Sequence, residues 1–203
     1  MTSSANATKR NLPGRERKQH DFYRTPSWCV TSLYRALPWL FPTPTLDPCA
    51  GDGAIIEACA ELERGEPVVG VELAHEIVDR AWSAGHHPEV EDGSMIAGIR
   101  QGDGLELDWT GQHVIMNPPY NQAAMWCAKA PTADSCCMLV RIGFLGSKKR
   151  QQMWCAHPPS ALVFLSSRPS FIASGRTDSA DYVWCVWSKQ WEHDWPSLYW
   201  ISR

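Results

Sequence analysis

The sequence predicts a doubly wound α/β domain, in which an open and mostly parallel sheet carries helices on both faces. Short apolar runs that indicate buried strands alternate along the chain with segments of helical periodicity. A glycine-bearing turn at residues 48–53 joins the first strand to a helix. The length of 203 residues suits one domain. In such a sheet, ligands bind beyond the carboxyl ends of the strands.

The first half of the chain predicts an opening helix and two strand–helix units. Thr25 as N-cap, followed by a proline, predicts a helix over residues 26–38. Residues 45–47 indicate the end of a short buried strand, and apolar residues at helical spacing follow the glycine-bearing turn. Residues 68–72 form a second apolar run, which ends in a carboxylate and precedes another helix.

The second half continues the alternation of strands and helices. Residues 86–98 are expected to form a loop, and a short strand is expected within residues 99–107. Further strands are predicted over residues 113–116, 136–142, 161–165 and 182–187, with a helix near residues 147–155.

Composition favours a soluble, cytoplasmic protein. Hydrophobic residues make up 44% of the chain and charged residues 20%, as in ordinary globular proteins. The sequence has no run of about 20 apolar residues that could span a membrane, and its N-terminal residues do not resemble a secretory signal. The eight cysteines include no C-x-x-C pair. We therefore expect free thiols and no bound metal.

Two basic segments stand out in a chain whose net charge is −3. Residues 1–20 are expected to form a flexible basic arm ahead of a single domain at residues 21–203, and the arm is either a solvated tail or a phosphate contact. Lys148, Lys149 and Arg150 form the tightest basic cluster of the domain. They are either a solvated helix start, where cations are unfavourable, or a second phosphate contact.

The turn after the first strand indicates a nucleotide-type loop. Its sequence is Asp47-Pro48-Cys49-Ala50-Gly51-Asp52-Gly53, where glycines permit tight turning and close approach of a ligand to the backbone. The turn lacks the G-x-G-x-x-G pattern and the Walker lysine, which disfavours NAD and ATP. An ordinary strand–helix joint remains the alternative.

Two acids follow the next strands in positions that suit a nucleoside. Glu72 lies about 20 residues after the glycine loop, where a carboxylate can accept hydrogen bonds from ribose hydroxyls. Asp103 lies between two glycines at a predicted strand end and could accept from an exocyclic amine. A surface glutamate and a simple turn residue are the alternatives.

The sharpest motif is Asn117-Pro118-Pro119-Tyr120, directly after an apolar strand. Two prolines supply no backbone donors and hold an extended loop that presents carbonyls, an amide and an aromatic ring. The Asn117 side-chain oxygen and the Pro118 carbonyl could both accept from one planar amino group, with Tyr120 stacked on the ring that carries it. A structural turn with a packed tyrosine is the alternative.

These motifs resemble, over residues 21 to about 190, the small DNA adenine-N6 methyltransferases of phages and prophages. The opening Asp-x-Tyr-x-Thr-Pro motif, the glycine loop, the two acids and the Asn-Pro-Pro-Tyr motif occur in the family's order. Residues 168–171 and 182–187 also resemble segments that flank the target-base pocket in this family. The matching motif positions are Asp21, Tyr23, Thr25, Pro26, Asp47 to Gly53, Glu72, Asp103 and Asn117 to Tyr120.

The resemblance implies a Rossmann-like class I methyltransferase fold with an antiparallel last strand. It implies S-adenosyl-L-methionine as cofactor and double-stranded DNA as partner, with the target adenine flipped out. The catalytic residues that it implies are Asn117, Pro118, Pro119 and Tyr120. The cofactor-binding residues that it implies are Tyr23, Thr25, Pro26, Asp47, Pro48, Cys49, Gly51, Gly53, Glu72, Asp103, Gly104 and Asn117.

Three other functions remain open: methylation of cytosine N4 or of RNA, methylation of a protein glutamine, and binding without catalysis. Cytosine-N4 enzymes usually carry serine where this chain has Asn117. Protein glutamine methyltransferases place a helical domain before the glycine loop, whereas only about 46 residues precede Asp47 here. A binding module would be expected to have lost part of the glycine loop or of the tetrapeptide, and both are intact.

Overall fold

The structure is a computed structural model that describes residues 23–42, 45–62, 67–171, 178–192 and 196–203. The predicted arm at residues 1–20 lies outside them. The strands are β1 (Thr45–Asp47), β2 (Val68–Glu72), β3 (Glu89–Glu91), β4 (Ser94–Gln101), β5 (His113–Met116), β6 (Ser135–Arg141), β7 (Ala161–Leu165), β8 (Tyr182–Ser188) and β9 (Ser197–Ile201). The α-helices are α1 (Ser27–Ala36), α2 (Ala54–Ala60), α3 (His75–Ser83), α4 (Ala123–Lys129) and α5 (Gln151–Ala156).

The described strands form one sheet in the order β3-β4-β2-β1-β5-β6-β8-β7-β9. The central strands β4, β2, β1, β5 and β6 are parallel. Strand β8 runs antiparallel to both of its neighbours, β6 and β7, and β9 follows it in the chain to pair in parallel with β7. The predicted fold class is thus confirmed: a mostly parallel sheet with an antiparallel strand near the C-terminus.

Helices cover both faces of this sheet, as predicted. On one face, Leu33 of α1 and Ile55 of α2 belong to one buried cluster with Trp184 of β8. On the other, Trp126 of α4 packs in a second cluster with Met138 of β6. Burial of a large apolar side chain contributes about 1.5–3 kcal/mol relative to exposure. Both layers therefore hold the central strands in place, and β6 is buried along nearly its whole length.

The prediction of a loop over residues 86–98 is wrong. These residues include β3 and most of β4, which pair antiparallel around a turn in which Asp92 and Gly93 have φ values of 47° and 78°. Two consecutive positive φ angles are typical of a tight hairpin turn. Most of the hairpin's side chains are exposed. Strand β3 is Glu-Val-Glu, so no apolar run marks it in the sequence, and Gly98 interrupts the apolar residues of β4.

Two further elements were not expected from the sequence, α4 and β9. Helix α4 has only seven residues and begins directly after the Asn117–Tyr120 loop. Strand β9 lies at the edge of the sheet, and its side chains alternate in exposure. The first helix also ends at Ala36, because the chain continues as a 3₁₀ turn at Pro38–Leu40. The helix predicted near residues 147–155 is a 3₁₀ turn at Lys148–Arg150 followed by α5.

The strand order reverses between β1 and β5. From β1 the chain moves outward through β2 and β4 on one side, and through β5 and β6 on the other. Loops from adjacent parallel strands diverge at such a point and leave a crevice at the carboxyl ends of the strands. We call this side of the sheet the carboxyl edge, and the opposite side the amino edge.

Candidate functional site

A cleft with a volume of about 300 Å³ opens at the carboxyl edge, above β1, β2, β4 and β5. The loops that follow these strands and the segment before α1 form its walls. The structure brings together in this lining most of the residues that the sequence indicated. They are Tyr23, Thr25, Asp47, Pro48, Cys49, Gly51, Glu72, Asp103, Gly104, Asn117 and Pro119.

Four predicted site residues lie outside this lining. Pro26 is the N-cap residue of α1, and Gly53 is the N-cap residue of α2. Pro118 is buried, and Tyr120 packs among other aromatic rings. Pro26 and Gly53 therefore shape the elements beside the cleft, and no wall of the cleft is formed by Pro118 or Tyr120.

The glycine loop depends on two left-handed backbone positions. Gly51 has φ 57° and Gly53 has φ 95°, a region that residues with a Cβ atom rarely adopt. A Cβ atom on Gly53 would also lie 2.6 Å from the imidazole ring of His86. Glycine at these positions therefore lets the loop turn sharply from β1 into α2, and at Gly53 the His86 ring leaves no room for a side chain.

Glu72 fastens this loop to the end of β2. Its Oε2 accepts a hydrogen bond of 3.0 Å from the Gly51 N–H, and its Oε1 accepts one of 2.9 Å from the Ala74 N–H. A carboxylate has about four acceptor positions, so each oxygen keeps one for another donor. Glu72 thus has a structural role in the loop in addition to the predicted ribose contact.

Asp47 is the most deeply buried acid of the cleft, with 1% of its surface exposed. Its Oδ1 accepts a hydrogen bond of 3.1 Å from the Cys49 N–H. Burial, reinforced by the nearby Glu72 carboxylate, raises the pKa of Asp47 to about 7. Burial beside the same two acids also raises the pKa of the Cys49 thiol well above its usual value. Near neutral pH, Asp47 is therefore divided between two protonation states.

The turn after β4 places Asp103 in the cleft. Its Oδ1 accepts a hydrogen bond of 2.9 Å from the Leu105 N–H, which closes the turn. Gly104 touches the glycine loop so closely that a Cβ atom there would lie 1.9 Å from the Pro48 carbonyl oxygen. The buried Trp109 donates a hydrogen bond of 3.1 Å to the Gly104 carbonyl and so anchors the turn from below.

The Asn117 amide is fixed by the segment that precedes α1. Its Nδ2 donates hydrogen bonds of 3.0 Å to the Tyr23 carbonyl oxygen and of 3.0 Å to Thr25 Oγ1. The prediction of Thr25 as helix N-cap is wrong, because Pro26 is the N-cap residue and no side chain caps α1. The Thr25 hydroxyl instead accepts a hydrogen bond from the Asn117 amide. These contacts orient Oδ1 of Asn117 away from Tyr23.

Tyr120 belongs to a cluster of aromatic rings next to Asn117. Its ring centroid lies 5.3 Å from that of Tyr23 and 5.9 Å from that of Tyr182. The guanidinium of Arg141 lies 5.0 Å from the Tyr120 ring centroid. Arg141 is held by hydrogen bonds of 3.0 Å to the Tyr182 hydroxyl and of 3.0 Å to Asp178. The cluster thus combines apolar ring surface with one fixed cation.

Sequence reasoning missed several residues of the lining. Arg24 lies within the opening motif, and its guanidinium pairs with Asp52 of the glycine loop and with Glu57 of α2. Met125 and Trp126 come from α4, which was not predicted. The one sequence feature that could have indicated Met125 and Trp126 is their position a few residues after the Asn117–Tyr120 loop. Ala50 and Asp52 lie in the predicted glycine loop without having been assigned to the site, and the remaining missed lining residues are Ala54, Ile55, Leu73, Ala74, Ile77, Leu105, Asn121 and Gln122.

Comparison with known proteins identifies the fold. The sequence matches no established protein family and no curated protein. A solved structure from Listeria monocytogenes, a putative class I S-adenosylmethionine-dependent methyltransferase, superposes with a TM-score of 0.64. It is 12% identical, and the match covers 93% of this chain and 68% of that one. The chain has the class I methyltransferase fold.

Two further solved structures share the class I methyltransferase fold. A putative RNA methyltransferase from Pyrococcus horikoshii matches with a TM-score of 0.60 and 19% identity over 88% of this chain and 93% of its own. The M protein of the type I restriction enzyme EcoKI matches with a TM-score of 0.55 and 16% identity, over 83% of this chain and 44% of its own. The fold implies S-adenosyl-L-methionine as cofactor.

The cleft fits such a cofactor in its charge. S-adenosyl-L-methionine is cationic at its sulfonium and at its amino group, and the lining carries the acids Asp47, Asp52, Glu72 and Asp103 against one cation, Arg24.

All eight cysteines are free thiols. Within the described ranges, no group of His, Cys, Asp and Glu side chains could hold a metal ion. No helix in the same ranges is long and apolar enough to cross a bilayer.

Proposed function

We propose that the protein transfers a methyl group from S-adenosyl-L-methionine to the N6 amino group of an adenine flipped out of double-stranded DNA. One observation carries this proposal: the Asn117–Tyr120 loop meets the acid-lined cleft at Asn117, whose amide is oriented by the same segment that lines the cleft. Acceptors for a planar amino group and a binding site for a cationic methyl donor are therefore adjacent.

The acids of the cleft would hold the cofactor. Glu72 ends β2 and Asp103 follows β4, and their free acceptor positions suit ribose hydroxyls and the adenine amine of the cofactor. Asp47, buried at the end of β1, favours a cationic group in its ionised form. When bound, the cofactor supplies an electrophilic methyl group on a sulfonium.

Asn117 would orient the nucleophile. Its amide cannot turn over without losing both donor contacts, so Oδ1 is presented to an incoming amine. The amino nitrogen of adenine is a poor nucleophile because its lone pair is delocalised into the ring. Acceptance of its hydrogens by Asn117 Oδ1 and the Pro118 carbonyl favours the transition state, in which positive charge develops on nitrogen. No covalent intermediate with the enzyme is needed.

The aromatic cluster would receive the flipped base. Tyr120 has ring neighbours on two sides, and Phe171 extends the cluster with ring centroids 4.9 Å from Tyr182 and 5.7 Å from Tyr23. Extrusion of a base costs a few kcal/mol of stacking, which contact with aromatic side chains offsets. Burial raises the pKa of the Tyr120 phenol, so its hydroxyl remains a neutral donor at physiological pH.

The test is methyl transfer with a radiolabelled cofactor to duplex DNA, single-stranded RNA and a mixture of proteins, followed by nucleoside analysis of the nucleic acids and amino-acid analysis of the proteins. We expect label in DNA, as N6-methyladenine. Label in N4-methylcytosine, in RNA or in glutamine would contradict the proposal and identify one of the rival activities. The Asn117→Ala variant serves as the control for a contaminating methyltransferase, because it should lose nearly all of the label.

A further inference from the structure

Charged side chains are sorted along the carboxyl edge. At this edge, most of the charged residues near β4, β2 and β1 are acidic. Most of those near β6, β8, β7 and β9 are basic, and we call these two parts the acidic half and the basic half. The loop at residues 117–120, which has no charged side chain, separates them. The acids are Asp47, Asp52, Glu72, Asp103, Glu106 and Asp108, and the cations are Arg141, Lys148, Lys149, Arg150, Arg168 and Arg203.

The two acids described in the basic half are already paired. Asp178 lies 3.0 Å from Arg141, and Asp181 lies 2.7 Å from Arg168. Lys148 and Lys149 are exposed, and neither forms an ion pair with any part of the chain that the structure describes. A polyanion at this half of the edge therefore meets two lysines that no acid among the described residues neutralises.

An aromatic platform lies on the same half. The register of β7 with β9 sets Trp200 beside Phe164, and their rings stack with centroids 5.3 Å apart and 18° between the planes. Trp200 is 66% exposed and lies one residue from the end of β9. Phe164 packs in the same cluster as Trp154 of α5, the helix that follows the lysines. The exposed indole and the lysines thus belong to one face of the sheet.

We propose that the nucleic-acid strand beside the target nucleotide crosses the carboxyl ends of β6, β7 and β9. Its phosphates would contact Lys148, Lys149 and Arg203, and one of its bases would stack on Trp200. This inference rests on the proposed function and adds a location for the substrate outside the target pocket. Stacking on an aromatic ring is tolerant of sequence, whereas phosphate contacts fix position.

Charge argues against a second copy of this chain as the occupant. A twofold interface would bring the same patch of both copies together, and with it the unpaired Lys148 and Lys149 of each. Like charges juxtaposed across an interface cost several kcal/mol. A polyanion with planar bases, by contrast, matches both the cations and the exposed ring.

The phosphate contacts are tested with Lys148→Glu and Lys149→Glu, using fluorescence anisotropy of a labelled duplex of about 20 base pairs across a salt series. We expect each change to weaken binding roughly tenfold at low salt and to reduce the logarithmic salt slope by about 1. Arg35→Glu is the matched control, since Arg35 is exposed and lies at the far end of α1. It should bind like the wild type.

The stacking contact is tested with Trp200→Ala, for which we expect a loss of affinity of roughly 5- to 100-fold. Trp200→Phe should recover most of the affinity, because a ring is retained. Trp39→Ala is the matched control, since Trp39 is 43% exposed and contacts a different tryptophan, Trp191. Sedimentation of the wild-type protein and of the variants measures their oligomeric state.

Three outcomes would overturn the inference. Wild-type affinity in all three surface variants, together with adenine methylation by the wild-type protein, would exclude this surface and leave the proposed function standing. If the wild-type protein is a dimer, and Trp200→Ala dissociates it without changing nucleic-acid affinity, then this surface is a subunit interface. Absence of both DNA binding and DNA methylation in the wild-type protein would remove the surface and the proposed function together.

Discussion

The hydroxyl of Tyr120 donates a hydrogen bond of 2.9 Å to Oδ1 of Asn117. This oxygen is the one that the proposed mechanism assigns to the amino group of the substrate. A carbonyl-type oxygen has two lone pairs, so phenol and amine either share it or compete for it. Tyr120 therefore keeps the Asn117 acceptor satisfied before a substrate arrives.

Two substitutions of Tyr120 distinguish the role of its hydroxyl from the role of its ring. Tyr120→Phe removes the competing donor and retains the ring, so the single-turnover rate should stay within about fivefold of wild type, which corresponds to about 1 kcal/mol. Tyr120→Ala removes stacking worth about 1–3 kcal/mol and should weaken DNA binding. Rapid-quench assays and anisotropy measure the two effects. A single-turnover rate for Tyr120→Phe more than about tenfold below wild type would mean that the hydroxyl itself is needed.

Asn117→Ala should slow methyl transfer by about 10²–10³-fold, because one preorganised acceptor is lost. It should also weaken cofactor binding, since Asn117 holds Tyr23 and Thr25 of the cleft wall. Thr25→Val is the matched control: it removes one of these hydrogen bonds, worth about 0.5–1.5 kcal/mol, and leaves Oδ1 in place. Calorimetry and single-turnover rates should show a weaker cofactor complex in both variants and slow chemistry only in Asn117→Ala.

Glu72→Ala should lower both cofactor affinity and stability. Two backbone N–H groups, those of Gly51 and Ala74, lose their acceptor, at about 1–3 kcal/mol for each one left unsatisfied. Chemical denaturation without cofactor measures the structural loss, and calorimetry measures the binding loss. A variant with normal stability but weak cofactor binding would show that the ribose contact alone matters. Normal values of both would remove Glu72 from the site.

The raised pKa of Asp47 predicts a pH dependence of stability. A carboxyl whose pKa is about 7 when folded and 3.8 when unfolded stabilises the protonated folded state, so stability falls as pH rises from about 4 to about 7. Asp47→Asn should therefore gain about 2–3 kcal/mol relative to wild type between pH 5 and pH 8. Denaturant titrations at both pH values measure this difference, and a constant difference would refute the raised pKa.

Gly53→Ala and Gly85→Ala distinguish the two ways in which an added Cβ atom lowers stability, which are backbone strain and steric clash. Both glycines have positive φ, 95° and 100°, but only Gly53 has a neighbour, His86, in the space that a Cβ atom would occupy. Gly85→Ala should cost about 1 kcal/mol for backbone strain alone. Gly53→Ala should cost about 1–3 kcal/mol more, because the His86 ring must move. Equal losses in denaturant unfolding would show that the ring moves freely.

Most of the sheet was predictable because its central strands are buried on both faces. The two cysteines Cys136 and Cys137 fall on opposite faces of β6 and are both buried, so the strand appears in the sequence as a continuous apolar run. The hairpin of β3 and β4 and the edge strand β9 are exposed on at least one face. Backbone pairing with a neighbouring strand defines these elements, although β9 has the apolar sequence Leu198-Tyr199-Trp200-Ile201.

The cleft was predictable to the extent that it follows strand ends. Glu72 is the last residue of β2 and Asp103 lies two residues beyond β4, so the parallel topology alone places them at one edge. The partners of these residues were not predictable. Nothing in the sequence shows that Asn117 contacts Thr25, 92 positions earlier, or that Tyr120 turns toward Arg141. Such contacts depend on the packing of loops.

The outer strand β3 carries Glu89 and Glu91, and all three of its residues are exposed. An edge strand offers unpaired backbone groups to any extended chain that meets it, which is a common route to aggregation. Two carboxylates within three residues would face the same charges on a second copy and repel it. This margin of the sheet is therefore protected against the addition of a further strand, although Val90 between the two acids is 62% exposed.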